Sequence, residues 1–409
     1  MEETFLYYLS ALIFITLFLL SKSKLLKSSH KRARNLPPRP PSLPFVGHLH
    51  LIKEPVHRSL ERISRRYGPV ISLSFGSLPV VVFSSQSAVE ECFGKNDVIF
   101  TNRPRIEGWR ELSYNFTTMA SASYGPLWRN LRRISFLEIF SASRLNSFLG
   151  IRLKEVRFLV KNLHQTVMEC DGVARVDMRP RLEELTFNII MRMVLGKRYF
   201  GAEVDDMDEA EKFRGIIRDV FELSVTSDLG DLVPMLRWLG LGRGQEKRKM
   251  ATKKRADVFL QGLIDEHRKR TGEGSGHSKT IVDLMLDFQW SEPGNYSDDV
   301  IKAMILVGRH DQSLYVHIVS YILTSFKPER FEGMDKFGYT HKLLPFGLGR
   351  RACPGSGLAH RMLGLGLGAL IQCFEWDRVS EELVDLSEVT GLSMPKDQPL
   401  KALGRSGNF

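Results

Sequence analysis

Cysteine is scarce. Cys92, Cys170, Cys353 and Cys373 are the only four in 409 residues, and no two form a CxxC pair. That spacing argues against a zinc site or a redox dithiol, and for a body kept reduced in the cytosol. Acidic residues are missing from residues 21–39, where seven Lys and Arg sit. Those seven supply most of the net charge of +11 and leave +4 for everything else. So small an excess does not describe a duplex-binding surface, and nucleic acid is not an expected partner. Internal repeats and low-complexity tracts are also missing. With 43% hydrophobic and 26% charged residues, the composition is that of a globular protein rather than a disordered or disulfide-stapled one.

Charge-free stretches are rare, and one stands out. Thr4 to Leu20 (TFLYYLSALIFITLFLL) runs for 17 residues without a charge. As a helix it would span roughly 25 Å, close to the ~27 Å hydrocarbon core of the endoplasmic reticulum. Glu2 and Glu3 precede it; Lys22, Lys24, Lys27, Lys31, Arg32 and Arg34 follow. The positive-inside rule then puts the N-terminus in the lumen and the body in the cytosol. A cleaved signal peptide would carry its positive charges before the apolar run and small residues after it, and neither holds. A cytosolic body also disposes of the glycosylation triplets Asn115-Phe116-Thr117 and Asn295-Tyr296-Ser297, which would never meet the transferase. Pro37, Pro38, Pro40, Pro41 and Pro44 make the next segment a stiff, extended spacer.

Beyond the spacer, Val70–Phe75 and Val80–Phe83 read as a hairpin turning at Gly76. Helical periodicity follows at 128–137, 152–170, 181–195, 209–223, 247–269, 281–288 and 357–374. Polar breaks such as TGEGSGHSK (Thr271 to Lys279) separate them. The fold class is mainly α with a small β sheet near the start.

The run FGLGRRACPG, Phe346 to Gly355, carries the chemistry. A lone buried cysteine is usually a small hydrophobe, the reading given to Cys92, Cys170 and Cys373. Cys353 differs because Phe346, Gly349, Arg351 and Gly355 surround it. Gly347, Gly349 and Gly355 permit turns that a Cβ would block. Arg350 and Arg351 supply cations, and Phe346 can screen the sulfur from water. The helix beginning near Gly357 directs its positive end at Cys353, which favours a thiolate.

These residues resemble the haem-binding signature of the cytochromes P450. Trp128 and Arg132 in WRNLR resemble the WxxxR pair that contacts haem propionates, and FKPERF, Phe326 to Phe331, resembles the PERF segment. The stretches RYGPVISLSFGS, KNDVIFTNRPR, YGPLWRNLRRI and GLSMPKDQPLKA are similar to plant microsomal isoflavone and flavonoid hydroxylases. The likeness covers residues 1–308 and 324–409.

The resemblance implies a cytochrome P450-like fold, incomplete, preceded by one transmembrane helix. The chain divides into an anchor at 4–20, a linker at 21–47 and a haem domain at 48–409. Haem b would be held by Cys353 as the axial iron ligand, with Phe346, Gly349, Arg351, Gly355, Trp128 and Arg132 around it. NADPH would supply electrons through NADPH-cytochrome P450 reductase at the endoplasmic reticulum membrane, and a small aromatic plant metabolite would be hydroxylated. Arg103, Phe116 and Leu392 are the candidate substrate contacts, with Arg103–Thr118 as a lid, and Arg330 is a structural residue.

The family's acid–alcohol pair is not visible after VIKAMILVG (Val300 to Gly308), so no catalytic residue is identified. No ExxR lies between Gly308 and Phe326 either; Glu107–Arg110 and Glu211–Arg214 fit the pattern only by chance, far upstream. An internal deletion near 309–323 is expected, about a small domain's worth of chain. The alternative function is therefore a catalytically inactive, shortened family member.

Overall fold

A computed structural model describes residues 7–18, 36–225, 229–233, 235–238, 240, 242–272, 279–307, 329, 332–333, 344–382, 385, 387 and 396–407. Arg330, Leu392 and the segment 309–323 lie outside the described residues. So do the ends of the expected anchor: residues 7–18 are helical, and among the described residues no helix is long and apolar enough to cross a membrane. The chain divides into two compact units, one of residues 1–92 with 228–242, the other of 93–227 with 243–409.

In the first unit, helix α1 (Val56–Tyr67) and the hairpin of β1 (Val70–Phe75) and β2 (Leu78–Phe83) share a small core of Ile63, Ile71 and Leu73. The strands pair antiparallel, Val70 opposite Phe83 and Phe75 opposite Leu78. Gly76 takes φ +59 at the turn, where a Cβ would strike the Leu232 carbonyl. The proline segment lies against this hairpin. Ser72 N–H donates to the Pro38 carbonyl at 3.0 Å. Buried His48 accepts the Ser74 N–H at Nδ1, 2.8 Å, so its Nε2 carries the proton and donates to the Pro40 carbonyl, 2.9 Å.

The second unit is helical. Its main helices are α2 (Asp97–Phe100), α3 (Pro126–Ile134), α4 (Leu149–Glu169), α5 (Met178–Leu195), α6 (Met207–Val225), α7 (Arg243–Gly272), α8 (Ile281–Ser291), α9 (Asp298–Val307) and α10 (Ser356–Cys373). Each periodic run read from the sequence lies within or largely overlaps one of them. Leu163 on α4, Ile189 and Leu195 on α5, Leu260 and Ile264 on α7, and Ala303 on α9 are sealed in one core. Each such aliphatic burial stabilises by roughly 1.5–3 kcal/mol for the larger side chains. Pro126 occupies the first turn of α3, and Gly196 at φ +74 ends α5.

A second sheet, not read from the sequence, joins distant parts of this unit. β3 (Val173–Asp177) pairs antiparallel with β5 (Lys401–Ser406), which pairs antiparallel with β4 (Phe374–Arg378). Gly404 sits opposite both Ala174 and Trp376, and a Cβ there would press on the Trp376 ring at 3.0 Å. β4 starts directly where α10 ends, so this sheet anchors the far end of the helix that follows Cys353.

Candidate functional site

Cys353 lies between two structures the local sequence dictates. Before it, Gly347 and Gly349 take φ +69 and +68, the left-handed values that a hairpin-like turn demands and glycine tolerates. The turn closes where Cys353 N–H donates to the Phe346 carbonyl at 2.7 Å. After it, α10 starts at Ser356 with Gly355 as its N-cap. A Cβ on Gly355 would stand only 3.7 Å from the Cys353 sulfur. The sulfur is therefore close to the positive end of an 18-residue helix, as the sequence led us to expect. Phe346 packs its ring 5.2 Å from that of His360, covering the start of the same helix.

Arg351 is the most heavily engaged side chain here. Its Nε donates to the Thr101 carbonyl at 2.8 Å, Nη1 to Met119 at 3.0 Å and Nη2 to Ala122. Its guanidinium also lies 4.6 Å from the ring centre of Trp128. Trp128 is buried, and its Nε1 donates to the same Met119 carbonyl at 3.1 Å. Burial, then repulsion from Arg103 and Arg132, lowers the Arg351 pKa to about 10, so it stays charged at neutral pH. Half-buried Arg132 is also lowered by burial, against the attraction of Cys353.

Arg103 and Arg132 thus cluster as cations around Arg351, and Arg132 is within electrostatic reach of the Cys353 sulfur. Among the described residues none of the three has a carboxylate within ion-pair distance, while neighbouring Arg350 does, at Asp97. Unneutralised charge gathered in a partly desolvated place calls for an anionic partner. A haem, whose two propionates would meet these cations and whose iron Cys353 would hold, fits that need. No group of His, Cys, Asp and Glu able to hold a metal by themselves occurs among the described residues, so the thiol is the donor the site offers.

The proposed lid has its own peculiarity. Tyr114, Asn115 and Phe116 take φ values of +50, +57 and +62 in succession. A left-handed run without glycine costs roughly 1–2 kcal/mol per residue, so its surroundings must enforce it. Asn115 N–H donates to the Arg110 carbonyl at 2.9 Å and Phe116 N–H to Ser113 Oγ at 3.1 Å. Lys253 on α7 holds the segment from outside, 3.3 Å from Glu111 and 5.8 Å from the Tyr114 ring centre. Burial, then Asp257 and Asp299, push the Tyr114 phenol far above its ordinary range, so it remains neutral. Phe116 is half-buried.

The structure thus brings Phe346, Gly349, Arg351, Gly355, Trp128 and Arg132 to the surroundings of Cys353, with Arg103 beside Arg351 and Phe116 on the strained loop. Glu107 and Arg110 form an exposed pair at 3.4 Å on a single helical turn, in keeping with a chance match. Asp97 escaped the sequence reading. Its contact with Arg350 joins residues 253 apart, which no local pattern signals.

Comparison with known proteins gives the same direction. The family model described as Cytochrome P450 matches residues 37–307 and 324–401. The chain is 39% identical to Cytochrome P450 81Q32 of Catharanthus roseus, over all of this chain and 98% of that one. It is 39% identical to an isoflavone 3'-hydroxylase of Medicago truncatula, covering 94% and 95%. With an isoflavone 2'-hydroxylase of Glycyrrhiza echinata the identity is 36%, covering 92% and 93%. The Catharanthus alignment takes 505 positions for a chain of 409 residues, so at least 96 of them hold no residue of this chain. Since the family match takes in most of the sequence and each likeness runs nearly end to end, the chain belongs to the cytochrome P450 family of monooxygenases, whose members carry haem iron and receive electrons from NADPH through a reductase.

Proposed function

We propose that this chain is a shortened plant microsomal member that binds haem b through Cys353 and hydroxylates a flat aromatic metabolite of the isoflavone or flavonoid type. One observation carries the haem assignment: a sulfur at a helix N-terminus is within electrostatic reach of Arg132, which clusters with Arg351 and Arg103, and among the described residues none of the three has a carboxylate in ion-pair distance. Bound there, haem would supply the oxygen chemistry. Arg132 and the remaining N–H groups of Arg351 would meet its propionate edge, Trp128, whose N–H is given to Met119, would support Arg351 from behind, and Phe346 would keep water from the sulfur. The strained loop with Phe116 would cover the substrate, with Arg103 at its start. The two isoflavone hydroxylases among the relatives support the substrate class.

The setting follows from the N-terminus. Helical residues 7–18 leave Tyr7 78% and Phe14 73% exposed, an apolar surface suited to lipid. We assign this stretch as the core of a single-pass anchor in the endoplasmic reticulum membrane, where NADPH-cytochrome P450 reductase would meet a cytosolic body. Removal of residues 1–35 should release the chain from microsomes; membrane retention of that form would count against the assignment.

A second reading has its own support. The family match breaks between 307 and 324, and at least 96 alignment positions are empty in this chain. A chain lacking the oxygen-activating helix with its acid–alcohol pair, and the ExxR motif of the helix after it, would bind haem without turning over. Two measurements separate the readings. A red-shifted band in the reduced, CO-bound spectrum reports the thiolate ligand. An isoflavone gaining one oxygen atom, with reductase and NADPH present, reports turnover. Band and product together support the active enzyme, and the band alone supports the inactive member. No band with folded full chain present rejects haem ligation by Cys353.

A further inference from the structure

The turn that delivers Cys353 is tied to α2. Asp97, the first residue of α2, has a side chain only 16% exposed. Its Oδ2 accepts the backbone N–H of Arg350 at 3.0 Å, while its Oδ1 stands 3.3 Å from Nε of the same residue. One carboxylate thus grips both the backbone and the side chain of one residue, which fixes the rotation of the turn as well as its distance. Gly349 completes the grip. A Cβ there would collide with the Phe93 carbonyl and come within 3.1 Å of Asp97 Cβ. The next residue, Arg351, spends its three donor nitrogens on Thr101, Met119 and Ala122. Thr101 Oγ1 in turn donates to the Asp97 carbonyl, tying two of these anchor points together.

Two strengths can be compared. The Arg350 side chain is 46% exposed, so its ion pair with Asp97 is worth little. The backbone N–H is also at the surface, but it belongs to the turn itself and has no side-chain rotamers to lose, so its bond to Asp97 acts on the turn directly. The backbone bond is therefore the part of the contact that holds the turn.

We propose that Asp97 is a positioning residue for the Cys353 thiolate, acting through the Arg350 backbone N–H to fix the turn that presents the sulfur. This rests on the haem assignment above. Groups behind a metal ligand that orient it typically change metal affinity 10–100-fold when removed, with the ligand itself untouched.

The test compares Asp97→Ala, Asp97→Asn and Arg350→Met in the full chain. Asn keeps an oxygen for the Arg350 N–H but not the charge, and Met removes the ion pair while leaving the backbone bond. In the haem-free chain, the amides of 346–355 should exchange roughly tenfold faster in Asp97→Ala, about the effect of one lost hydrogen bond, and near the parent rate in the other two. In the haem-loaded chain, the fraction of haem giving the red-shifted CO band should fall several-fold in Asp97→Ala and recover in Asp97→Asn. Parent-like exchange and band fraction in Asp97→Ala would overturn the proposal. So would an Asn variant as damaged as Ala, since the charge and not the backbone bond would then be responsible. Should Asp97→Ala not fold, Asp97→Ser with Asp97→Asn carries the same comparison. A parent chain with no red-shifted band would overturn the haem assignment instead, and the exchange rates alone would then decide the role of Asp97.

Discussion

Arg351 and Trp128 share one acceptor: the guanidinium lies 4.6 Å over the indole, and both side chains donate to the Met119 carbonyl. A planar fork is needed to reach Thr101, Met119 and Ala122 at once while stacking. Lysine is a point charge on a flexible stem. We expect Arg351→Lys to destabilise the haem-free chain by about 1–3 kcal/mol, the loss of one or two charge-assisted bonds at a half-buried site. Urea unfolding would register this as a lower midpoint with unchanged slope. A midpoint equal to the parent's would mean that the three carbonyl contacts contribute nothing.

Arg132 should behave in the opposite way. It is half-desolvated, repels Arg351 and is attracted by Cys353. Arg132→Gln should leave the haem-free chain as stable as the parent or more so, yet release haem roughly tenfold faster at low salt, about the size of one partly screened charge–charge interaction. Haem transfer to an acceptor protein at two ionic strengths measures it. Lower stability with unchanged haem release would reverse the interpretation.

His48 serves the first unit alone. Its ring joins Ser74 N–H to the Pro40 carbonyl, so His48→Ala orphans one buried donor and frees one acceptor. The expected cost is about 1–3 kcal/mol, together with faster proteolysis around residues 36–42. Unchanged cleavage in that stretch would show that other contacts hold the proline segment.

Asp283 sets an acid limit. Burial would raise its pKa, but hydrogen bonds from His267 and from the Thr280 N–H and hydroxyl more than offset this and hold the carboxyl well below the usual range. A depressed folded pKa stabilises above the unfolded value of about 3.9, and the benefit is lost as pH falls through the folded value. Stability should therefore decline below about pH 4, and Asp283→Asn should flatten that decline while lowering stability at pH 7 by about 1–3 kcal/mol. Denaturant midpoints across pH 2–7 provide the check; equal acid slopes in parent and variant would refute it.

The sequence revealed those features that local patterns encode. β-Branched and aromatic runs with a glycine turn marked the β1–β2 hairpin, and 3.6-residue periodicity marked the long helices because one face of each meets a shared core. Cys353 was legible because its partners Phe346, Gly349, Arg351 and Gly355 are close in sequence. The β3–β5–β4 sheet was not. KALGRS has no clear alternation, and its glycine sits where Trp376 needs room, a tertiary requirement invisible along the chain. Asp97 was hidden for the same kind of reason, since its partner is 253 residues away. The left-handed values at Tyr114 and Phe116, either side of Asn115, run against their residue types and could not be read from composition.

The ties of Arg351 to Thr101, Met119 and Ala122 span 250, 232 and 229 residues. At roughly 5–20 residues per second, a ribosome would finish the receiving carbonyls some 10–50 seconds before the arginine emerged. The earlier segment must wait, with its acceptors bound to water, for a late-arriving strap. Closure entropy grows only as the logarithm of the intervening length. An extra stretch of about 100 residues between the two ends would raise that cost by only about 0.3 kcal/mol. For these two ends, encounter in a shorter chain is therefore nearly as easy as in a longer one.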